Sequence, residues 1–269
     1  MKYKIDHDYH IHSFLSTCSN DPLQTGESIL HYAKDKGLER ICITDHYWDS
    51  DVPGASKWYQ PQNFDHISLS KPLPQADGIE FMFGCETEMD RFMTVGCPES
   101  RYDDFSFIIV PTTHLHMMGF TISEEDASDM GRRAKLWVKR MDALLDQPLP
   151  FRKVGVAHPA TCLINWVTQS KEEYFATLDM IPSDEIERVF TKAAELGCGI
   201  ELNGADMCIA GSEVESYLRP FHIAKSCGCK FYLGSDAHTV RECKRYFEGF
   251  ERSIDLLGLE EKDKFHIGA

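Results

Sequence analysis

Histidines recur in this chain at the ends of short apolar runs. Six of the 12 histidines of the 269-residue sequence occupy such positions: His10, His12, His46, His114, His158 and His238. Neutral imidazole is a common ligand of zinc, iron and manganese-type ions. His10 and His12 are two residues apart, and side chains at that spacing share one face of a β-strand. The pattern predicts a metal site at strand ends, because gathered imidazoles are costly to bury without a cation.

Two carboxylates accompany these histidines at equivalent positions. Glu86 ends one apolar run in Gly-Cys-Glu, and Asp236 ends another in Ser-Asp-Ala-His. A carboxylate can bridge two cations, and two cations about 3.5–4 Å apart can clamp the attacking and leaving oxygens of a displacement. Asp8 and Asp45 precede ligand-type histidines, so we expect them to accept hydrogen bonds from those imidazoles.

The elements that would position these residues alternate between strands and helices. Strands are predicted over residues 4–12, 40–46, 80–86, 105–114, 153–158, 199–203 and 230–236. Helices are predicted over residues 26–36, 124–146, 184–196, 213–227 and 240–257. This alternation indicates an α/β fold with a parallel sheet, either open and doubly wound or closed as a barrel. We favour the barrel because ligand-type residues follow nearly every strand, and barrel chemistry collects at that rim.

Two local alternatives remain open in the sequence. His116 lies two residues after His114 and is the other candidate ligand there; we prefer His114 because it directly ends the strand. The irregular stretch 47–77 contains aromatic residues that either wall a pocket or simply pack the loop, namely Trp48, Trp58, Tyr59 and Phe64.

Composition restricts the classes of partner. The formal net charge is -15 and the pI is near 5.2, which opposes binding to nucleic acid or anionic membranes. A small anionic substrate stays compatible, since a metal reverses the local potential. The ten cysteines form no CxxC pair, and no signal-peptide core or membrane-length apolar run is found. We therefore expect reduced cysteines and a cytoplasmic protein with a single domain over residues 1–269; the oligomeric state is not encoded in any pattern.

Taken together, six ordered segments resemble the PHP (polymerase and histidinol phosphatase) family. They are DYHIHS at 8–13, TDH at 44–46, GCE at 84–86, TTH at 112–114, AHP at 157–159 and SDAH at 235–238. The resemblance covers nearly the whole chain. It implies a distorted seven-stranded (β/α)7 TIM-like barrel with two or three divalent metal ions, zinc, manganese or iron.

The resemblance also implies roles for individual residues. His10, His12, Glu86 and Asp236 would hold one metal; Glu86, His114 and His158 a second; and His46 and His238 would help to hold a third. Asp236 and His238 are the expected catalytic residues. One position departs from the family pattern: Cys18 stands where three-metal members place a histidine. A cysteine thiolate binds zinc, and Asp21 is the other residue that would reach a third metal from this loop.

The implied activity is hydrolysis of a small phosphate monoester. The chain length and the long loop after the second strand are similar to the stand-alone histidinol-phosphatase branch, whose substrate would be L-histidinol phosphate. Candidate cations for the phosphate are Arg132, Arg133, Arg152 and Arg241. Three alternatives remain: a phosphatase or nuclease acting on nucleotides or other small phosphoesters, a metal-dependent amidohydrolase, and a non-catalytic binding module.

Overall fold

Nine short strands form the interior of the molecule in the computed structural model, which describes residues 1–160, 171–210 and 213–269. The strands are β1 (His7–Ile11), β2 (Arg40–Ile43), β3 (His46–Tyr47), β4 (Glu80–Phe83), β5 (Cys85–Thr87), β6 (Ile108–Pro111), β7 (Val154–Ala157), β8 (Gly199–Asn203) and β9 (Lys230–Gly234). Most of their side chains are buried, as expected of parallel strands covered on both faces.

The strands pair in parallel in two sheets. One sheet has the order β1-β2-β4, and the other has the order β3-β5-β6-β7-β8-β9. The free edges meet where β1 runs beside β9: Asp236 N donates to His10 O at 2.7 Å, and His12 N donates to Ala237 O at 3.0 Å. All paired strands therefore end at a common rim.

The second and third predicted strands are each interrupted. The stretch 40–46 becomes β2 and β3, and the stretch 80–86 becomes β4 and β5. Gly84 marks the break in the latter, where a side chain would come within 2.5 Å of Phe107 O and 2.7 Å of Cys42 Sγ. Backbone pairing nevertheless continues across the interruption, since Gly84 N donates to Ile43 O.

The structure confirms the predicted α/β class with parallel sheets, but it does not show the closed barrel that we favoured. In the described ranges the strands are assigned to two sheets, with no closed ladder through all of them, and nine strands replace the seven predicted. The strand count differs because residues 44–45 and 84 interrupt the second and third predicted strands just before their ligand residues.

Helices cover the outside of the strands. They are α1 (Gly26–Lys36), α2 (Phe64–Ile67), α3 (Glu124–Ala127), α4 (Met130–Leu145), α5 (Lys171–Asp179), α6 (Ser183–Leu196), α7 (Gly204–Ala210), α8 (Val214–Ser226) and α9 (Val240–Leu257). The predicted helix 124–146 is two helices, because Asp129 leaves helical geometry and its side chain caps α4 by accepting from Arg132 N. The short α2, α5 and α7 were not predicted from the sequence.

The opposite end of the strands is closed by the C-terminal segment. Phe265 packs with Phe107 and Tyr232 inside the strands, and its backbone N donates to Phe231 O at 2.8 Å. The buried Lys264 ammonium donates to Asp6 Oδ2 at 3.0 Å. This end is therefore filled, and the rim at the carboxyl ends is the face left for a site.

The remaining expectations on composition concern cysteines and membranes. The nine cysteines of the described ranges are free thiols, and Cys162 lies outside those ranges. Among the helices described here, none combines the length and the apolar character that crossing a bilayer requires.

Candidate metal centre

Three groups of possible metal ligands meet at the carboxyl ends of the strands. In each group the nitrogen and oxygen ligand atoms lie within 4.8 Å of one another. The groups are His10, His12 and Glu86; Glu86, His114 and His158; and His12, His46 and His238. Because Glu86 belongs to two groups and His12 belongs to two groups, the three candidate positions are contiguous.

Glu86 occupies the centre of this arrangement. Its Oε2 lies 2.9 Å from His46 Nδ1 and 3.3 Å from His12 Nε2, and its Oε1 lies 3.2 Å from His158 Nε2. Oε2 is buried, yet none of these close approaches has the angles of a hydrogen bond at that oxygen. A buried carboxylate oxygen surrounded by nitrogen atoms without hydrogen-bond geometry fits a position between cations.

The His10 ring is held from its far side by a buried carboxylate. His10 Nδ1 lies 2.6 Å from Glu201 Oε1, while His10 Nε2 lies 3.1 Å from His12 Nε2. Glu201 accepts only, so Nδ1 carries the proton and Nε2 presents a lone pair to the centre. Glu201 Oε2 also accepts from the backbone N of His158 at 2.5 Å, which ties two ligand strands together.

The His12 ring is oriented through a hydroxyl. Ser16 Oγ donates to Asp45 Oδ1 at 2.7 Å, and it lies 2.9 Å from His12 Nδ1. Since the single hydroxyl proton goes to the carboxylate, His12 Nδ1 must donate to Ser16, which again leaves Nε2 free for a metal. Asp45 therefore supports a ligand histidine as expected, but through Ser16 and not by direct contact.

His114 and His158 are anchored in the same manner. His114 Nδ1 lies 2.8 Å from Glu88 Oε2, and His158 Nδ1 lies 3.2 Å from Thr113 Oγ1. Glu88 in turn contacts the fully buried Arg140, whose Nη2 is 3.4 Å from Glu88 Oε1. Ligand imidazoles in metalloproteins usually have such a partner on the outer nitrogen, and it fixes the ring and its tautomer.

The electrostatics of the centre favour positive charge. Burial alone would lower the pKa of His12 and His158, but Glu86 and neighbouring carboxylates raise them to about 8 and about 9. Burial would raise the pKa of Glu86 and Asp236, yet the surrounding imidazoles hold both well below their usual range. The donor set thus fits divalent cations, which supply the positive charge that these ionised carboxylates attract.

Asp236 and His238 lie on the open side. Each side chain is 24% exposed, whereas those of His10 and His12 are fully buried. Asp236 Oδ1 lies 3.2 Å from His12 Nε2, and Asp236 has a positive φ of 55°. His158 also has a positive φ, 29°, so two strand-end ligand candidates have a backbone that non-glycine residues rarely adopt.

The structure brings all eight predicted metal-ligand residues into one cluster: His10, His12, His46, Glu86, His114, His158, Asp236 and His238. Two histidines of one segment take different positions. His114 joins a ligand group, while His116 packs beside its ring at 5.2 Å between centroids.

Other candidates take different places. Within the described residues, Cys18 belongs to none of the three groups. Asp21 accepts from Leu23 N and Val240 N, which holds the loop to the start of α9. Asp8 accepts from the backbone N of Ser235 and from Tyr32 Oη, so the expectation that it would support an imidazole directly is wrong.

The four arginine candidates take different positions. Arg132 is exposed and pairs with Glu125, and Arg133 donates to Ala127 O. Arg152 precedes β7 and therefore lies at the opposite end of the strands. Arg241 is exposed in the first turn of α9.

The aromatic loop is divided between site and core. Trp58 meets the His46 ring edge-on at 5.0 Å, and Tyr59 does so at 5.9 Å. Trp48 packs behind Tyr59, while Phe64 packs on Phe105 away from the ligands. Two of the four aromatic residues therefore wall the centre.

Sequence reasoning missed the residues that orient the ligands, chiefly Glu88, Arg140 and Glu201. Glu88 had a signal, since it follows Glu86 by two residues and shares its face of the strand. Glu201 also had one, because it lies in the one strand end without histidine. Arg140 carries no signal apart from its place on the buried face of α4.

The fold and the site define a class of protein, namely an α/β protein whose parallel strands carry a histidine–carboxylate centre at their carboxyl ends. The sequence model of the PHP domain family matches residues 8–257 of this chain. The chain therefore belongs to the PHP family.

Curated relatives carry similar names. A probable phosphatase of Thermoanaerobacter sp. (strain X514) is 28% identical over 85% of this chain and 78% of its own length. A probable phosphatase of Caldanaerobacter subterraneus subsp. tengcongensis is 26% identical over 97% of this chain and 87% of its own. Family and names together support the class of metal-dependent phosphatases.

A solved structure shares the fold. It is histidinol phosphate phosphatase from Lactococcus lactis subsp. lactis, complexed with zinc, L-histidinol and phosphate. The TM-score is 0.59 at 18% identity, and the match covers 97% of this chain and 98% of that one.

Proposed function

We propose that this protein is a phosphomonoesterase whose substrate is L-histidinol phosphate and whose products are L-histidinol and phosphate. The observation that carries the proposal is the contiguous set of three ligand groups joined by Glu86 and His12. The proposal includes one PHP-type domain over residues 1–269 and a distorted barrel, which has seven strands when β2 with β3 and β4 with β5 are each counted as one interrupted strand. The backbone bonds between β1 and β9 support that barrel.

The ligand groups suggest which residues would hold divalent ions. His10, His12, Glu86 and Asp236 would hold one, Glu86, His114 and His158 a second, and His46 and His238 would help to hold a third. Such ions lower the pKa of a water nucleophile and stabilise charge on phosphoryl oxygens. Zinc, manganese and iron all suit imidazole and carboxylate ligands.

The protein's own groups position the reactants. Asp236 and His238 are the most exposed members of the cluster, so we assign them the contacts with the attacking water and the phosphoryl group. His238 Nδ1 lies 2.9 Å from the carbonyl oxygen of Asp236, which fixes the ring and leaves the lone pair of its other nitrogen available for the third ion. Trp58 and Tyr59 exclude water on the His46 side.

The small-molecule substrate has two further supports. The net charge of -15 disfavours long polyanions, which leaves small phosphoesters as the compatible class. The Lactococcus lactis protein of the same fold holds L-histidinol and phosphate in its crystal structure.

Phosphate release is the measurement that tests the proposal. L-histidinol phosphate would be compared with p-nitrophenyl phosphate, nucleotides and sugar phosphates, after chelation and again after zinc or manganese is restored. We expect the highest kcat/KM for L-histidinol phosphate, loss of activity on chelation and recovery with metal.

Variants separate the site from general damage. His10→Ala and Asp236→Asn should remove most activity, while His31→Gln, on the exposed face of α1, should leave it unchanged. Metal-dependent release from other esters alone would exclude the histidinol phosphate role. No metal-dependent release from any ester would overturn the phosphatase proposal itself.

A further inference from the structure

Helix α7 places a carboxylate beside the metal centre that none of the ligand groups uses. α7 begins at Gly204, directly after β8, and thus at the rim. Asn203 caps its first turn by accepting from Asp206 N at 3.0 Å. The amide nitrogen of Asn203 lies 3.4 Å from Asp236 Oδ2, so one residue links Asp206 to the predicted catalytic carboxylate.

The position of α7 is fixed by close packing. Gly204 lies against Gly249 of α9, where a side chain on Gly249 would come within 2.9 Å of the Gly204 Cα. A side chain on Gly204 would in turn meet the backbone of Tyr246. This contact leaves α7 little freedom to retract, so Asp206 is held at the edge of the centre.

Two polar atoms here lack partners. Asp206 Oδ2 and Tyr217 Oη are buried, and neither takes part in a hydrogen bond with the described residues. Asp206 is 7% exposed and Tyr217 is 1% exposed. Burial raises the pKa of the Tyr217 hydroxyl, and the carboxylates of Asp206 and Glu201 raise it further. Buried polar atoms are usually paired, so unpaired atoms on α7 and on the helix α8 that packs against it point to a ligand group.

The charge of this ligand group follows from the surroundings. Burial is the main reason that the pKa of Asp206 lies well above its usual range; His158 lowers it, and Asp236 and Glu201 raise it. Among the described residues, no lysine or arginine forms an ion pair with Asp206. Burial thus favours the neutral acid, and a cationic ligand at Oδ2 would favour the ionised form, because an opposite charge offsets the cost of burial.

We propose that Asp206 and Tyr217 form an ammonium subsite that makes the enzyme selective for phosphate esters of amino alcohols. An ammonium group has three donors, and it can donate to Asp206 Oδ2 and Tyr217 Oη together. This inference rests on the proposed function for the phosphate end of the substrate, which the metal centre would bind. The subsite would determine specificity through two residues that belong to none of the three groups of metal ligands.

Binding of alcohols tests the subsite without relying on turnover. Calorimetry on the zinc-loaded protein would compare L-histidinol with its analogue in which hydrogen replaces the amino group. We expect the wild type to prefer L-histidinol by about tenfold or more, as for hydrogen bonds to a charged group. Asp206→Asn should abolish that preference, and Tyr217→Phe should reduce it. Asp184→Asn, at an exposed position of α6, is the matched control.

The outcomes separate the subsite from the proposed function. Equal binding of both alcohols to the wild type, binding of neither, or an equal loss for both in Asp206→Asn would overturn the ammonium subsite. A selective loss of L-histidinol binding, together with a full complement of zinc, would support it. Hydrolysis of the two corresponding phosphate esters is measured in parallel: selective binding without hydrolysis rejects the phosphatase proposal alone, and hydrolysis without selectivity rejects the subsite alone.

Discussion

At the scale of single residues, the centre depends on carboxylates that hold imidazoles from behind. Glu201 accepts from His10 Nδ1 and from the backbone N of His158, one with each oxygen. Glu88 holds His114 in the same way and is itself in contact with Arg140. These contacts fix which nitrogen of each ring is available, so the ligand geometry is set before any metal arrives.

Replacing Glu201 with glutamine tests this dependence. Glutamine keeps the shape but offers one acceptor oxygen and an NH2 group, so either His10 or the His158 backbone loses its acceptor. We expect Glu201→Gln to lower metal affinity about 10–100-fold, as is typical for groups that orient metal ligands. Competition with a chelator of known affinity measures this.

The control is Glu195→Gln, at an exposed position of α6. It should bind metal like the wild type. Unchanged metal affinity in Glu201→Gln would mean that the carboxylate does not orient His10 as inferred.

At the scale of elements, glycines set how closely helices and strands approach. Gly249 lies in the middle of α9, where alanine would normally stabilise a helix by about 1 kcal/mol. Its Cα hydrogen faces the backbone of Gly204, and a methyl group there would collide with the Gly204 carbonyl oxygen. Packing and propensity therefore oppose each other at this position.

We expect packing to dominate in Gly249→Ala. Forcing an added carbon into a packed backbone contact costs about 1–3 kcal/mol, so the net effect should be destabilising. Thermal unfolding should show a lower Tm than the wild type. Gly131→Ala in α4 is the comparison, because its nearest neighbours, the Asp129 and Met180 side chains at 3.3 and 3.4 Å, have room to adjust. A Tm that rises in both variants would show that α7 does not press on α9.

At the scale of the whole molecule, the two ends of the strands have opposite characters. The rim collects ligand residues, while the other end is closed by Phe265 and by a buried network of Asp6, His7 and Lys264. His7 Nδ1 lies 2.8 Å from Asp6 Oδ1, and His7 Nε2 accepts from Leu233 N at 3.0 Å. The network joins both chain termini to β9.

This closed end should make stability depend on pH. Burial lowers the pKa of His7 from 6.5 to about 4, against the opposing effect of Asp6. The unfolded chain therefore binds a proton that the folded protein does not, between pH 6.5 and about 4. The contribution of neutral His7 to the free energy of unfolding is therefore fully present above pH 6.5. As the pH falls from 6.5 towards 4 this contribution is lost, and the free energy of unfolding falls by at most about 3 kcal/mol.

Urea unfolding across this pH range measures the effect. His7→Gln has no titrating ring, so its free energy of unfolding should fall less steeply between pH 6.5 and 4 than that of the wild type. His31→Gln, which removes an exposed histidine, should keep the wild-type slope. Identical slopes in the wild type and His7→Gln would contradict the inferred burial of a neutral imidazole.

The sequence by itself determined which residues form the centre and the order of the elements that carry them. Ligand residues such as His10 and Asp236 follow apolar runs, and parallel strands separated by helices bring their carboxyl ends to one rim. This local regularity is sufficient to predict an α/β fold and a metal site. It also favoured His114 over His116, because His114 ends the predicted strand 105–114, and His114 is the one that joins a ligand group among the described residues.

Only the tertiary structure decided how the ligands are oriented and what surrounds them. Glu201 and Ser16 form hydrogen bonds with residues distant in the chain, His10 and Asp45, and Asp206 is buried at a place that no local pattern encodes. The interruption of the predicted strand 80–86 likewise follows from packing around Gly84, not from strand propensity. Side-chain type and spacing predict a cluster, whereas long-range contacts set the protonation state, exposure and partner of each member.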